Sequence, residues 1–501
     1  MKLPLGIQDF RQLREGNYVY VDKTENLYNV VQYGGFYFLS RPRRFGKSLL
    51  LSTLNELYRG RRELFTGLWI EPHWNWGKQH PVIWLKFSSM AYQSKGLDAA
   101  ILYELILIGK TFGLDLSLHT EVKDAFRELL QTLYERSGPV VILVDEYDKP
   151  IIDYIEDAEK MDANRAILKA FHSILKDAGH MIELLFITGV SAFSQVSLFS
   201  DLNNLTNLTL SDNAATLVGI TPEEMEHTFG EALQGVDRTE LRRRYNGYSW
   251  DGVRTVYNPW TLLSFFREGS MKHFWTLTGT PTFLVKLMRE NFIYKMNDIV
   301  AHEIELLQFN VRNFRPVPIL FQTGYLTITA PPDSYGEYQL DYPNEEVQRG
   351  LDHFLLQEYT KDIEADTRVR RLRRAFVAQD LDEVFNILNS ALAEIPYDHW
   401  AGADERFFHA ILTVIFRMLG TPLKSEVHSS RGRLDALVEL PDAVYVLEFK
   451  LDQPAAEGLA QVGERGYLAP FGDDGRDLFA VGVRLGTESK SVEEWEVVRV
   501  G

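Results

Sequence analysis

The stretch FYFLSRPRRFGKS, Phe36–Ser48, reads as a short apolar strand, a basic loop and the first residues of a helix. The strand is expected over Phe36–Ser40 and the helix over Lys47–Tyr58. Gly46-Lys47-Ser48 ends the loop as a phosphate-binding loop does. Gly46 lets backbone approach a phosphate. Lys47 can reach the β- and γ-phosphates, and Ser48 can offer its hydroxyl to Mg²⁺. The amides and dipole of the helix N-terminus favour the same anion. The first glycine of G-x-x-x-x-G-K-S is absent, because position 41 is arginine. Arg41, Arg43 and Arg44 could meet the nucleotide, act in trans on a neighbouring copy, or form a structurally paired basic loop.

A second stretch supplies the partner. Val141–Glu146 (VILVDE) is a buried strand ending in two acids. Asp145 is placed to hold Mg²⁺ and Glu146 to orient or deprotonate an attacking water. Phe186-Ile187-Thr188-Gly189 closes another apolar strand, where Thr188 could sense the γ-phosphate. Further strands are expected at Val82–Phe87 and Leu184–Val190. Helices are expected over about 97–136, split near Gly113–Leu118, and over about 160–178. Alternating strands and helices predict an α/β fold with a mainly parallel sheet.

Beyond residue 220 the pattern turns mostly helical. Thr221-Pro222-Glu223-Glu224 is a helix start with Thr as N-cap. Residues 331–346 read as a turn region, and 368–374 (RVRRLRR) is locally basic. From about 402 the expected order is helix, three strands, helix, strand. Three domains follow: 1–220, a mostly helical 221–400, and a small α/β domain at 401–501.

Composition narrows the function. The 501 residues are 45% hydrophobic and 25% charged, ordinary values that exclude a disordered or fibrous chain. There are 53 basic and 70 acidic residues, a net charge of −17, which excludes a polybasic nucleic-acid coat. With no cysteine, disulfides, thiolate metal sites and thiol nucleophiles are excluded, and a cytoplasmic location is expected. The N-terminal residues lack a signal-peptide pattern, and no apolar run is long enough to predict a membrane span.

A second constellation lies near the C-terminus. Asp435, Glu448 and Lys450 are spaced D-x₁₂-E-x-K across GRLD and YVLEFK. Residues two apart on a strand share a face, so Glu448 and Lys450 point together and Phe449 points away. Two strand-borne carboxylates can share a Mg²⁺, and the lysine can orient water or stabilise phosphorane charge. Residues 401–501 carry 11 basic and 17 acidic residues, a net of −6, so phosphate contacts would have to be local, for example at Arg368–Arg374.

Several motifs occur in order: Gly6 and Phe10, YVDKT at Tyr20–Thr24, RPRRFGKS, VDEYDKP at Val144–Pro150, FITGVSAFS at Phe186–Ser194, LNNL at Leu202–Leu205, and YNGY…YNPW between Tyr245 and Trp260. Together they resemble the bacterial AAA-ATPase-like family that carries RPRRFGK in place of a full phosphate loop. The resemblance covers about 1–260. It implies a P-loop fold binding and hydrolysing ATP, with Arg43, Arg44, Gly46, Lys47, Ser48, Asp145 and Thr188 at the nucleotide, Ser48 and Asp145 toward Mg²⁺, and Glu146 as the catalytic carboxylate. Residues 400–499 resemble the PD-(D/E)xK nuclease superfamily. That implies Glu405, Asp435 and Glu448 as metal ligands, Lys450 as catalytic lysine, Gln461 as an auxiliary group and His409 as a flanking one. Leu434 stands where the pattern has proline. The expected whole is a cytoplasmic bacterial ATPase joined to a Mg²⁺-dependent nuclease. Its partner is nucleic acid, DNA ahead of RNA, with no membrane and with a homo-oligomer as a candidate state. The alternative is a nucleotide-operated binding switch with a non-catalytic nuclease-like module.

Overall fold

The computed structural model describes residues 1–192, 202, 204–276, 284–285, 288, 299–307, 316–360, 365–395, 411–412, 414–416, 428–429, 432–433, 436–472 and 475–500. The chain forms two compact units, Met1–Gly279 with Met296–Glu346, and Thr280–Lys295 with Val347–Gly501.

In the first unit five strands form one parallel sheet. They are β1 Gly35–Ser40, β2 Val82–Lys86, β3 Val140–Asp145, β4 Ile182–Gly189 and β5 Leu205–Asn207, in the order β2-β3-β4-β1-β5. β3 and most of β4 are buried, which is why VVILVD and LLFITG are near-continuous apolar runs. Helices Lys47–Tyr58, Leu97–Thr111, Val122–Ser137 and Ala158–Asp177 make the crossovers. Each fully buried Leu or Phe, such as Phe38, Leu51, Leu54 and Phe186, contributes roughly 1.5–3 kcal/mol. The order places β4 between β1 and β3. Ser40 pairs with Gly189 and Val144 with Ile187, so the phosphate-loop strand, the Thr188 strand and the acid strand end level with one another. Ligands of open parallel sheets bind at such carboxyl ends.

The Thr221 capping box forms as expected, with the Thr221 side chain accepting from the Glu224 amide and the Glu224 carboxylate from the Thr221 amide. Helices Pro222–Phe229, Arg238–Tyr245, Pro259–Glu268 and Pro316–Thr323 follow. The region also holds a small antiparallel sheet of β6 Ile299–His302, β7 Thr327–Ile328 and β8 Glu337–Asp341, ordered β6-β8-β7. Part of the expected turn at 331–346 is therefore strand β8. Its turn signal comes from the hairpin tip, where the Asp333 carboxylate accepts from the amides of Tyr335 and Glu337 at 2.8 and 3.0 Å.

In the second unit the short pair β9 His428–Ser429 and β10 Gly432–Arg433 precedes a four-stranded sheet of β11 Ala436–Glu439, β12 Ala443–Leu451, β13 Asp477–Gly486 and β14 Ser491–Arg499. β12 and β13 are parallel, joined by the helix Ala455–Arg465, and the other pairs are antiparallel. That helix covers one face through Leu437, Val444, Val446, Val462 and Leu478. The opposite face meets helices Ala365–Val377 and Leu381–Ala393 through Phe376 on Tyr445 and Phe385 on Trp495. Two strands, not one, follow the Ala455–Arg465 helix. β14 is an edge strand whose Glu493, Glu494 and Glu496 break the apolar run by which a buried strand is recognised.

Candidate functional site

The first site is built where β1 passes into the Lys47–Tyr58 helix. Gly46 takes φ +96°, and a Cβ there would meet nothing within 4 Å, so glycine serves the left-handed turn and leaves the loop open toward ligand. Lys47 is buried. Its Nζ donates to the carbonyls of Arg41 at 2.8 Å and Pro42 at 2.9 Å. Burial lowers its pKa, and Asp145, Asp148 and Glu146 oppose that shift. On β3 the Asp145 carboxylate accepts from the Thr188 hydroxyl at 2.8 Å, joining two sequence-predicted residues across neighbouring strands. Glu146 sits at φ +53°, a conformation a non-glycine residue holds only when its surroundings impose it.

A cavity of about 480 Å³ opens at these strand ends, lined among others by Arg43, Arg44, Gly46, Lys47, Ser48 and Glu146. Asp145 and Thr188 are buried and do not line it. A smaller apolar cavity of about 100 Å³, walled by Val19, Val21, Leu217, Ile220 and Leu263, shares Gly46 and Leu49 with the first. The larger cavity carries the charged side chains, and the smaller one is walled mainly by apolar ones.

Sequence reading assigned no role to Asp148, which also lines the larger cavity. Its buried carboxylate accepts from the amides of Val190 (3.0 Å) and Ser191 (2.7 Å) and from the Ser191 hydroxyl (2.7 Å). Burial raises its pKa while the Ser191 hydrogen bonds work the other way. Asp148 thereby ties the segment after β3 to the segment after β4. The signal was its place in VDEYDKP, but its partners lie more than 40 residues on.

The three arginines separate by environment. Arg41 is buried, and its guanidinium donates to the carbonyls of Ser40 and Thr209 at 2.8 Å and of Ala214 at 2.9 Å. It also lies 4.0 Å from the ring of Trp250. Burial pushes its pKa down to about 9, opposed by Asp251. Of the open alternatives, Arg41 takes the structural one. Arg43 and Arg44 are exposed and face the cavity, with Arg44 3.8 Å over the ring of Trp260.

The YNGY…YNPW segment supplies the rest of the cradle. Phe45 meets Tyr248 and Trp250 edge-on, with centroids at 4.8 and 5.4 Å. The Arg43 carbonyl accepts from Trp275 Nε1 at 3.3 Å and Asn258 Nδ2 at 3.4 Å. A Cβ on Gly324 would come within 2.8 Å of the Pro42 ring. The loop that lacks its first glycine is thus shaped from outside. YVDKT is structural as well: Asp22 accepts from the Thr24 and Trp69 amides, and Lys23 pairs with Glu224.

The second site lies on β12. Glu448 pairs in register with Gly482 of β13. A Cβ on Gly482 would fall 2.0 Å from the Ala455 carbonyl, and one on Gly458 2.8 Å from the Glu448 carbonyl. These two glycines let the Ala455–Arg465 helix lie directly on the strands, and Gln461, one turn beyond Gly458, reaches Glu448. Gln461 Nε2 donates to Glu448 Oε1, while Lys450 Nζ donates to Gln461 Oε1 at 2.6 Å and lies 3.3 Å from Glu448 Oε1. Glu448 is buried and Lys450 partly so. Glu405, His409 and Asp435 lie outside the described residues. Among the described residues no three His, Cys, Asp or Glu side chains converge as a metal cage. A nucleotide-bound Mg²⁺ needs only one or two protein oxygens, and the Ser48 hydroxyl and Asp145 carboxylate have that chemistry.

Comparison with known proteins gives a family match over each of the two regions. Residues 4–199 match the family described as predicted AAA-ATPase, and residues 403–495 match the PD-(D/E)XK nuclease superfamily. An uncharacterized protein encoded in the vnfD 5′ region of Azotobacter chroococcum mcd 1 is 35% identical over 514 residues, covering 100% of this chain and 99% of that protein. Among the described residues no helix is long and apolar enough to cross a membrane. The chain therefore belongs to the family of predicted AAA-ATPases that carry a C-terminal PD-(D/E)XK nuclease-superfamily domain.

Proposed function

We propose that this protein binds and hydrolyses ATP in its first unit and cleaves nucleic-acid phosphodiesters in its second, with Mg²⁺ at both sites and DNA as the favoured substrate. The observation that carries the reading is the gathering of Lys47, Ser48, Glu146 and Asp148 on one cavity at the carboxyl ends of a parallel sheet. When ATP enters, Lys47 exchanges the Arg41 and Pro42 carbonyls for phosphate oxygens. Arg43 and Arg44 add positive charge at the cavity rim. Glu146 takes the proton of the attacking water, and Thr188 with Asp145 holds the end of β3 in place. Ser48, on the cavity wall, would hold the nucleotide's Mg²⁺ directly, and Asp145, buried behind the wall, through the ion's water shell; the ion would neutralise phosphate charge.

In the second unit Glu448, with Asp435 and Glu405, would hold Mg²⁺. Oxygen donors suit that ion, which supplies Lewis-acid polarisation of the phosphate. Lys450 is oriented by Gln461 toward Glu448, where its ammonium can stabilise the developing phosphorane charge. A binding switch with a non-catalytic second unit is the alternative, supported by the net charge of −6 over 401–501.

Phosphate release and duplex cleavage, measured together with Mg²⁺ and ATP, test the proposal. Wild type should do both. Lys47→Ala should lose phosphate release, and Lys450→Ala should lose cleavage alone. Phosphate release without cleavage by wild type under any divalent metal favours the switch. Neither activity in wild type rejects the proposal.

A further inference from the structure

The basic stretch Arg368–Arg374 is used by neither site. It lies on the helix Ala365–Val377. Val369, Leu372, Ala375 and Phe376 are buried, at the spacing of a single helical face. Arg368 and Arg371 flank that face. Each is ion-paired within the helical hairpin, to Glu394 at 3.1 Å and Glu383 at 2.8 Å. Arg370, Arg373 and Arg374 lie side by side within one arc of about 100° outside that face and are exposed. Among the described residues no carboxylate pairs with these three; Arg370 reaches only the Thr367 hydroxyl, at 3.0 Å.

In a chain with 70 acidic residues against 53 basic ones, three neighbouring guanidiniums with no carboxylate partner among the described residues point to an anionic ligand. The chemistry of the stretch narrows its class. It is arginine throughout, with no lysine, and the guanidinium fork matches phosphate oxygens two at a time. Spacing of i, i+3 and i+4 places the three within about one turn, roughly 6 Å along the axis. Each strand of duplex DNA carries one phosphate per roughly 3.4 Å of helix axis, so the stripe can meet two or three neighbouring phosphates.

The helix is fixed to the strand that bears Glu448. The Phe376 ring meets Tyr445 of β12 edge-on at 5.1 Å, and the Tyr445 hydroxyl donates to the Phe376 carbonyl at 3.0 Å. Tyr445 and Glu448 are three residues apart, so they face opposite sides of the sheet. Stripe and carboxylate belong to one compact unit without sharing a pocket.

We propose that Arg370, Arg373 and Arg374 form an exosite for the sugar–phosphate backbone of duplex DNA, which sets how tightly substrate is held without touching the scissile bond. The inference rests on the nuclease reading of the second unit. Phosphate contacts of this kind position a duplex without reading its sequence.

The test uses the full chain and a fluorescent duplex in EDTA, with binding followed by anisotropy across a salt series. Arg370→Gln/Arg373→Gln/Arg374→Gln should weaken binding on the order of 10- to 100-fold and flatten the slope of log affinity against log salt by about 2–3. Arg371→Gln, which loses Glu383 instead, should leave the slope unchanged. Circular dichroism establishes that the triple variant is folded. With Mg²⁺, the triple variant should raise KM and keep kcat. Wild type that binds no duplex, or a triple variant with wild-type affinity and slope, overturns the exosite. Wild type that binds through these arginines yet cleaves nothing overturns the nuclease reading alone.

Discussion

The phosphate loop of the first unit and the Glu448 strand of the second solve one problem in opposite ways. Both must hold a lysine beside carboxylates. On β12 the geometry is local: period two puts Glu448 and Lys450 on one face, and Gly458 and Gly482 bring Gln461 down onto them. In the loop nothing local suffices, because arginine replaces the first glycine. Trp250, Asn258, Trp260, Trp275 and Gly324, all about 200 residues or more away in sequence, impose its shape. A strand site is specified by its own repeat, whereas a degenerate loop site depends on long-range packing.

That contrast breaks most sharply at Gly482. Gly482→Ala sets a methyl against the Ala455 backbone and should cost about 3 kcal/mol or more in the second unit. A second-unit unfolding transition that stays in place on differential scanning calorimetry would refute the close-packing account. ATP binding should be unaffected.

Arg41→Met tests the loop. It keeps volume but strips a donor from the Ser40, Thr209 and Ala214 carbonyls, and should destabilise the first unit by about 2–3 kcal/mol. Arg41→Lys should not restore it, since an ammonium cannot span the three carbonyls in one plane. If Arg41→Met melts like wild type but loses ATP, Arg41 is a nucleotide contact and not a pin.

The units should also part on acidification. His172 is buried in the first unit, and burial holds its pKa at about 4, below the ordinary value of 6.5. The unfolded chain takes the proton first. The stabilisation is therefore complete above about pH 6.5 and drains away as pH falls toward 4, amounting to on the order of 3 kcal/mol. Chemical denaturation of wild type against His172→Leu between those limits should show the slope in the first-unit transition of wild type and its loss in the variant. The smallest effect is expected at Trp260→Ala, where loss of the Arg44 stack should cost about 1 kcal/mol in stability. Thermal unfolding reads it directly.

The same contrast explains what was legible in sequence. FYFLSRPRRFGKS, VILVDE and YVLEFK declare their strands through apolar runs and their chemistry through residue type, and the structure places those side chains at strand ends or on one face. The role of Arg41 was not legible, because its partners at Thr209, Ala214 and Trp250 are set by tertiary packing. Asp148 was hidden for the same reason. β8 was masked by the turn residues of its own hairpin, and β14 by edge-strand glutamates. Glu405 and Asp435 lie outside the described residues, so the second site is described through Glu448, Lys450 and Gln461.

The central claim is that the cavity over Lys47 takes a nucleotide. Isothermal titration of wild type and Lys47→Ala with ATP and Mg²⁺ tests it most directly. Wild type should bind one ATP per chain, and Lys47→Ala, folded by circular dichroism, should give no binding heat. Equal affinity in the two proteins, or no binding by wild type, would contradict the account.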